Sequence, residues 1–230
     1  MCSSDLRFRA ANELRRLIEN WHVSDFHVSM ARGVKEAVGD AEHLSVTGDN
    51  LQQVAKNLHD SYPEVFQSIL RKMRERVPGV CDIETEDTLD GRLLLKFRND
   101  TFEDPFIDKF VSDGTIKMFA YLVLLHDPQP HPFLCVEEPE NQLYPKLLPA
   151  LAEEFREYAL RGGQVFVSTH SPDFLNAIEV DEVFWLEKNE AGFTDIRRAS
   201  DDPQIVDYMK DGDQMGYLWK QGLFGKADPR

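Results

Sequence analysis

Apolar positions recur along this chain with two different periods, and the change from one to the other divides it. Over residues 5–21, Leu6, Ala10, Leu14, Leu17 and Ile18 fall near helical spacing and predict a helix. Residues 22–48 are mixed and Gly-containing, and the pattern assigns no element to them. Asp49 is a candidate cap for a helix reaching about residue 59. Val65, Phe66, Ile69, Leu70 and Met73 share one face of a further helix over 62–77, which Pro78-Gly79 ends. The turn Asp90-Gly91 between runs 80–88 and 92–98 predicts a β-hairpin.

From residue 112 the pattern becomes an alternation. A helix over 112–125, a strand over 133–137, a helix over 144–160 and a strand over 164–169 follow one another. A short helix over 172–178 and a strand over 182–187 come next, with 193–198 a candidate edge strand. Strands apolar on both faces, alternating with helices, argue an α/β architecture: a mainly parallel sheet flanked by helices, preceded by a helical and hairpin insertion. The expected division is 1–110 for the insertion region, 111–199 for the α/β lobe and 200–230 for an Asp-rich tail. That tail carries Tyr217, Leu218, Trp219 and Phe224 and reads as a docked C-terminal segment.

Composition narrows the function classes. At 230 residues the chain can bury one sizeable core. No apolar run approaches the roughly 20 residues of a membrane span, and the start lacks the pattern of a secretory signal. Cys2, Cys81 and Cys135 form no Cys-x-x-Cys pair, which fits a reducing, cytoplasmic setting. A net charge of −15 excludes a general positive field for nucleic acid. The one basic run, Arg71-Lys-Met-Arg-Glu-Arg76, reads as the solvated face of a helix. His22, His27, His43, His59, His126 and His131 show no metal-ligand spacing and read as surface or core residues.

Three short segments carry candidate chemistry. Phe133-Leu-Cys-Val-Glu-Glu-Pro-Glu-Asn-Gln-Leu-Tyr-Pro145 is an apolar strand that delivers Glu137 and Glu138 at its end, where Pro139 stops it. Ligands bind outside the carboxyl ends of strands in open α/β sheets. One carboxylate there can hold Mg²⁺ through its waters, and the next can orient or deprotonate a water attacking phosphorus. Ser112-Asp-Gly-Thr115 heads an apolar helix; it suits either an ordinary serine cap or a phosphate on a helix N-terminus. His170 ends the apolar run Val165-Phe-Val-Ser-Thr-His170, as a capping histidine or a donor to a phosphate oxygen.

In their order and spacing these segments make residues 111–188 resemble the C-terminal half of an ABC-type P-loop ATPase, in the RecF/SMC/OLD-like branch of AAA-type ATP-binding domains. Weaker similarity reaches back to about residue 50. The resemblance implies that Ser112, Asp113, Gly114 and Thr115 form the signature motif. It further implies that Phe133 to Glu138 is Walker B, with Glu137 at the Mg²⁺ position and Glu138 as catalytic base. The segment from Pro139 to Pro145, with Asn141 and Tyr144, is similar to the D-loop region, and His170 matches the switch histidine. Tyr144 stands where this branch usually has His, and Glu137 where Asp is commoner. ATP and Mg²⁺ are the implied ligands. The implied partner is a second copy or a related ATPase subunit, with nucleic acid reached through the complete complex and no membrane.

The P-loop pattern Gly-x-x-x-x-Gly-Lys-Ser/Thr does not occur; Gly33-Val-Lys-Glu-Ala-Val-Gly39 lacks its spacing. The opening Cys2-Ser-Ser-Asp-Leu6 is what the end of a sequencing adapter encodes in one frame. The expectation is therefore a chain truncated at its N-terminus, with residues 1–6 artefactual, whose complete form hydrolyses ATP and which is itself inactive. DNA repair, chromosome maintenance and anti-phage defence are the processes the resemblance offers. Two other readings stand: a non-hydrolysing subunit contributing only a signature face, and a carboxylate- and metal-dependent nuclease or glycosidase, for which Asp201, Asp202, Asp207, Asp211 and Asp213 would be the further acids.

Overall fold

The computed structural model describes residues 9–33, 35–36, 42–225 and 227. The expected beginning of the first helix at residues 5–8, the residues read as artefactual, and most of Gly33–Gly39 lie outside these. The first elements are α1 (Arg9–Glu19), β1 (Trp21–Ser24), α2 (Val28–Ala31) and β2 (Lys35–Glu36). Then come α3 (Leu51–Ser61), α4 (Pro63–Arg76), β3 (Val80–Asp87), β4 (Arg92–Asn99) and β5 (Phe106–Ile107). α5 (Asp113–Leu125), β6 (Phe133–Glu137), α6 (Leu148–Leu160) and β7 (Gln164–Ser168) follow. The chain closes with α7 (Pro172–Leu175), β8 (Phe184–Lys188), β9 (Thr194–Arg198), α8 (Pro203–Lys210) and α9 (Met215–Lys220). It forms two compact units, one of residues 1–143 with 154–168 and one of 144–153 with 169–230.

In the first unit, β1, β6 and β7 make a parallel sheet with β6 central. The inward face carries Leu134 and Val136 together with His22 and Ser24, all buried. The opposite face aligns Trp21, Phe133 and Phe166, whose rings stand 4.7 and 5.1 Å apart in sequence across the strands. Trp21, Val23 and Phe166 are 47%, 46% and 49% exposed, so β1 buries its polar positions and half-exposes its apolar ones. That inversion explains why hydrophobic patterning left 22–48 unassigned. Burial pushes the His22 imidazole down to about 4, with His131 and His43 as lesser causes, so it sits in the core neutral.

The predicted hairpin is present as β3 and β4, in an antiparallel sheet that also holds β2 and β5. α5 is buried along nearly its whole length, as expected of a helix apolar on all sides. α2, α3 and α4 pack on it, and Phe119 meets Phe97 of β4 edge-on at 5.9 Å. The basic run on α4 is only half solvated. Arg71 and Arg74 are exposed, whereas Lys72 and Arg76 turn to Glu154, which is 1% exposed and also faces His126 Nε2 at 3.6 Å.

The second unit has its own core of Val183, Trp185, Ala199, Ile205, Met215, Leu218 and Phe224. α9 packs on α7 so closely that a Cβ at Gly216 would lie 2.1 Å from the Pro172 carbonyl. The strand expected over 182–187 does not extend the parallel sheet. β8 pairs antiparallel with β9 in a separate two-stranded ribbon. Its apolar run Phe184-Trp-Leu reads as a strand buried on both faces, yet Trp185 is buried while Phe184 and Leu186 are exposed. The helix expected from residue 144 begins as a 3₁₀ turn at Pro145–Leu147 and becomes α-helical only at Leu148.

Candidate functional site

The parallel sheet ends its strands on one side, and there the candidate chemistry gathers. β6 carries Glu137 as its last residue, opposite Ser168 of β7. Glu138 still donates its backbone N–H to Ser168 O at 2.9 Å, but its φ is +40°. That left-handed conformation is costly for a side chain with a Cβ, about 1–3 kcal/mol, and the following Pro139 narrows the choice further. Gln142 at φ +63° completes the reversal. Asn141 holds the turn at both levels: its N–H donates to Glu138 O at 3.1 Å and its side-chain amide to Glu138 Oε2 at 2.6 Å. Backbone strain of this kind clusters at functional sites, which makes the turn a candidate one.

A cavity of about 430 Å³ opens here, lined by Asp25, Phe26, His27, Lys117, Glu137, Glu138, Asn141 and Gln142. Asp25 to His27 follow β1 as Glu138 follows β6, so two neighbouring parallel strands supply its walls. Among the described residues Lys117 is the one lysine or arginine lining it, together with Asp25, Glu137 and Glu138. It is 3% exposed, with Nζ 5.6 Å from the Tyr121 ring centre. Burial lowers its pKa, and Glu140, Glu138 and Asp25 oppose that shift. Asp25, Glu137 and Glu138 make the lining rich in carboxylate oxygen, with Lys117 among them and His27 Nε2 3.4 Å from Asp25. Such an oxygen-rich donor set fits Mg²⁺, and Glu137 is the residue that would hold it through water.

Ser112 caps α5: its hydroxyl accepts from Thr115 N at 3.2 Å and pairs with Thr115 Oγ1 at 2.7 Å. The ordinary capping reading of this serine therefore holds in this structure. Arg32 fixes the approach to the helix by donating to the carbonyls of Asp108 and Val111 and to the Asp113 carboxylate. Gly114 lies against the turn after β6, where an added Cβ would come within 2.9 Å of Gln142 O. Ser112 and Thr115, however, line a different cavity of about 220 Å³, with Gly79, Phe97 and Asn99.

Of the residues singled out from sequence, Glu137, Glu138 and Asn141 thus share one cavity, and Asp113 and Gly114 border the turn that walls it. Ser112 and Thr115 open elsewhere. Tyr144 and His170 belong to the second unit, both exposed. Sequence reasoning missed Asp25, His27, Lys117 and Gln142. Lys117 had a usable signal, a lone cation inside an otherwise apolar helix; Asp25 depended on recognising β1.

The parallel sheet, with paired carboxylates ending its central strand beside a serine-capped apolar helix, is that of an AAA-type ATPase domain. Residues 6–176 match the family described as "AAA domain, putative AbiEii toxin, Type IV TA system", and the chain belongs to that family. Comparison with curated protein sequences gives no match. Among solved structures, a chain from a study of ATP-driven dimerization and DNA-stimulated activation of SMC ATPases is similar at 13% identity and a TM-score of 0.42, covering 66% of this chain and 97% of that one. The SMC head domain from Thermotoga maritima is similar at 16% identity and a TM-score of 0.42, covering 64% and 51%. The Smc head domain with an extended coiled coil from Pyrococcus furiosus, bound to the C-terminal domain of ScpA, gives 13% and 0.46, covering 69% and 42%. The chain spans about half or less of the last two.

Proposed function

We propose that this chain is part of an ATPase head that binds Mg-ATP between two copies, or with a related subunit, and hydrolyses it. The supporting observation is the strained Glu138 turn at the carboxyl ends of β1 and β6, in a cavity where the described lining sets Asp25, Glu137 and Glu138 beside the buried Lys117. In this reading Glu138 accepts the proton of the attacking water, and Asn141 fixes the carboxylate that does so. Glu137 holds the waters of the metal ion, which supplies charge neutralisation at the phosphoryl oxygens. Lys117 limits repulsion between the acids and the incoming phosphates. For His170 and Tyr144, the roles of phosphate-oxygen donor and D-loop residue rest on the resemblance alone.

The signature residues favour a composite site. Ser112 and Thr115 line a cavity other than that of Glu137 and Glu138, which supports a nucleotide shared between two protomers. Asp113, Gly114 and the N-terminus of α5 then meet the phosphates bound on the opposing copy. Closure on ATP and opening after hydrolysis is the output of such a site. The run Gly-x-x-x-x-Gly-Lys-Ser/Thr does not occur in these 230 residues, and in this reading the chain alone binds ATP weakly. Among the described residues no helix is long and apolar enough to cross a membrane, and the reading is cytoplasmic. Of the processes open to this branch, the toxin label in the family description favours anti-phage defence over DNA repair or chromosome maintenance. The test is ATP turnover by the complete protein: Glu138→Gln should abolish it while retaining nucleotide, and unchanged turnover would refute the role of Glu138.

A further inference from the structure

At the other end of the same sheet, four side chains from four separate stretches converge. They are His22 of β1, His43 before α3, Asp127 just after α5, and His131 leading into β6. His131 stacks on His22 with ring centres 4.8 Å apart and 20° between planes, and His43 lies 4.8 Å from His131. His43 Nδ1 donates to Asp127 Oδ2 at 2.6 Å. One ligand atom from each of His43, Asp127 and His131 lies within 4.8 Å of the others. Sequence spacing gave no hint of this, because the residues are brought together only by the sheet.

Two features go beyond a packed histidine cluster. His131 Nδ1 faces the Asn20 carbonyl at 3.2 Å; a carbonyl only accepts, so Nδ1 carries the proton and Nε2 presents a lone pair. That Nε2 is buried and has no hydrogen-bond partner among the described residues. The same is true of Nε2 of His22, a residue only 7% exposed. Buried polar atoms are almost always satisfied, so two orphaned imidazole nitrogens beside a 5%-exposed carboxylate call for a missing partner. The cluster is also held from outside. Tyr158 Oη donates to His131 O at 3.0 Å, the Asn50 amide to His43 O at 2.9 Å, and Gln129 N to Asp127 Oδ1 at 2.8 Å.

The geometry points to a divalent metal site of the zinc class, with His43, Asp127 and His131 as ligands and His22 closing its buried side. Mixed imidazole and carboxylate donors suit zinc rather than Mg²⁺ or Ca²⁺, and bonds of about 2.0–2.2 Å need the three groups to draw in by roughly an ångström. The site stands at the start of β1 and β6, whereas the cavity stands at their ends. Its role is a clip that ties the segment before α3 and the end of α5 to the sheet, without part in the phosphate chemistry.

Chelator-treated protein titrated with Zn²⁺ by calorimetry should bind one equivalent, raise Tm, and with Co²⁺ give the visible absorption of a low-coordinate ion. His43→Gln with His131→Gln should weaken binding by about tenfold or more and abolish the Tm shift. Should that pair fail to fold, His43→Gln alone, at a half-exposed position, carries the same comparison. No stoichiometric binding, or binding that the substitutions leave unchanged, overturns the proposal.

Discussion

Glu154 and the Glu137–Glu138 pair are acids of one kind in opposite circumstances. Glu154 is 1% exposed, and the protein answers its charge in full: Lys72 Nζ stands 2.7 Å from it, Arg76 pairs with it, and His126 closes the group. Around the cavity, Lys117 is the one lysine or arginine among the described lining residues beside Asp25, Glu137 and Glu138, His27 Nε2 stands 3.4 Å from Asp25, and the backbone at Glu138 is strained. A carboxylate compensated by the fold's own cations joins α4 to α6 and is finished. The acids at the strand ends instead border an open cavity, on a turn held in a costly conformation.

The contrast predicts that the two places respond to the same substitution in different currencies. Glu138→Gln should lower ATP turnover of the complete protein by about 10²–10⁴-fold, the range for loss of a general base. Its urea midpoint should move little. Glu154→Gln should do the reverse, costing about 3–5 kcal/mol by stranding Arg76 and leaving Lys72 with Glu157 alone, read from chemical denaturation. Equal loss of stability in both variants would erase the distinction.

Smaller substitutions sharpen it within the site. Gly114→Ala forces a methyl to within 2.9 Å of Gln142 O and should cost about 1–3 kcal/mol in stability, with turnover falling as the turn shifts. Ser112→Ala removes the α5 cap and should cost about 1 kcal/mol in the isolated chain. Any loss of ATP-dependent association beyond that small effect would measure the serine's contact with nucleotide.

Much of this was legible in the sequence, and the omissions have physical causes. α5 and β6 follow from an apolar run bounded by Ser112 and by Pro139, and the acids at the strand end were visible as chemistry. β1 was not, because its inward residues are His22 and Ser24 while Trp21 and Val23 face outward. Losing β1 also lost Asp25 and His27, which follow it into the cavity. β8 was legible as a strand but not in its pairing, since Phe184-Trp-Leu gives no sign of which neighbour it will take. The histidine cluster depends wholly on tertiary placement, and no spacing along the chain could announce it.

The composite site is tested most directly by mixing two defective forms of the complete protein, Glu138→Gln and Ser112→Arg. If each nucleotide is held by the acids of one copy and the serine of another, the mixed dimer contains one intact site, and turnover rises above the sum of the separate variants. If acids and serine act within one copy, the mixture stays at that sum, and the account of a shared nucleotide is contradicted.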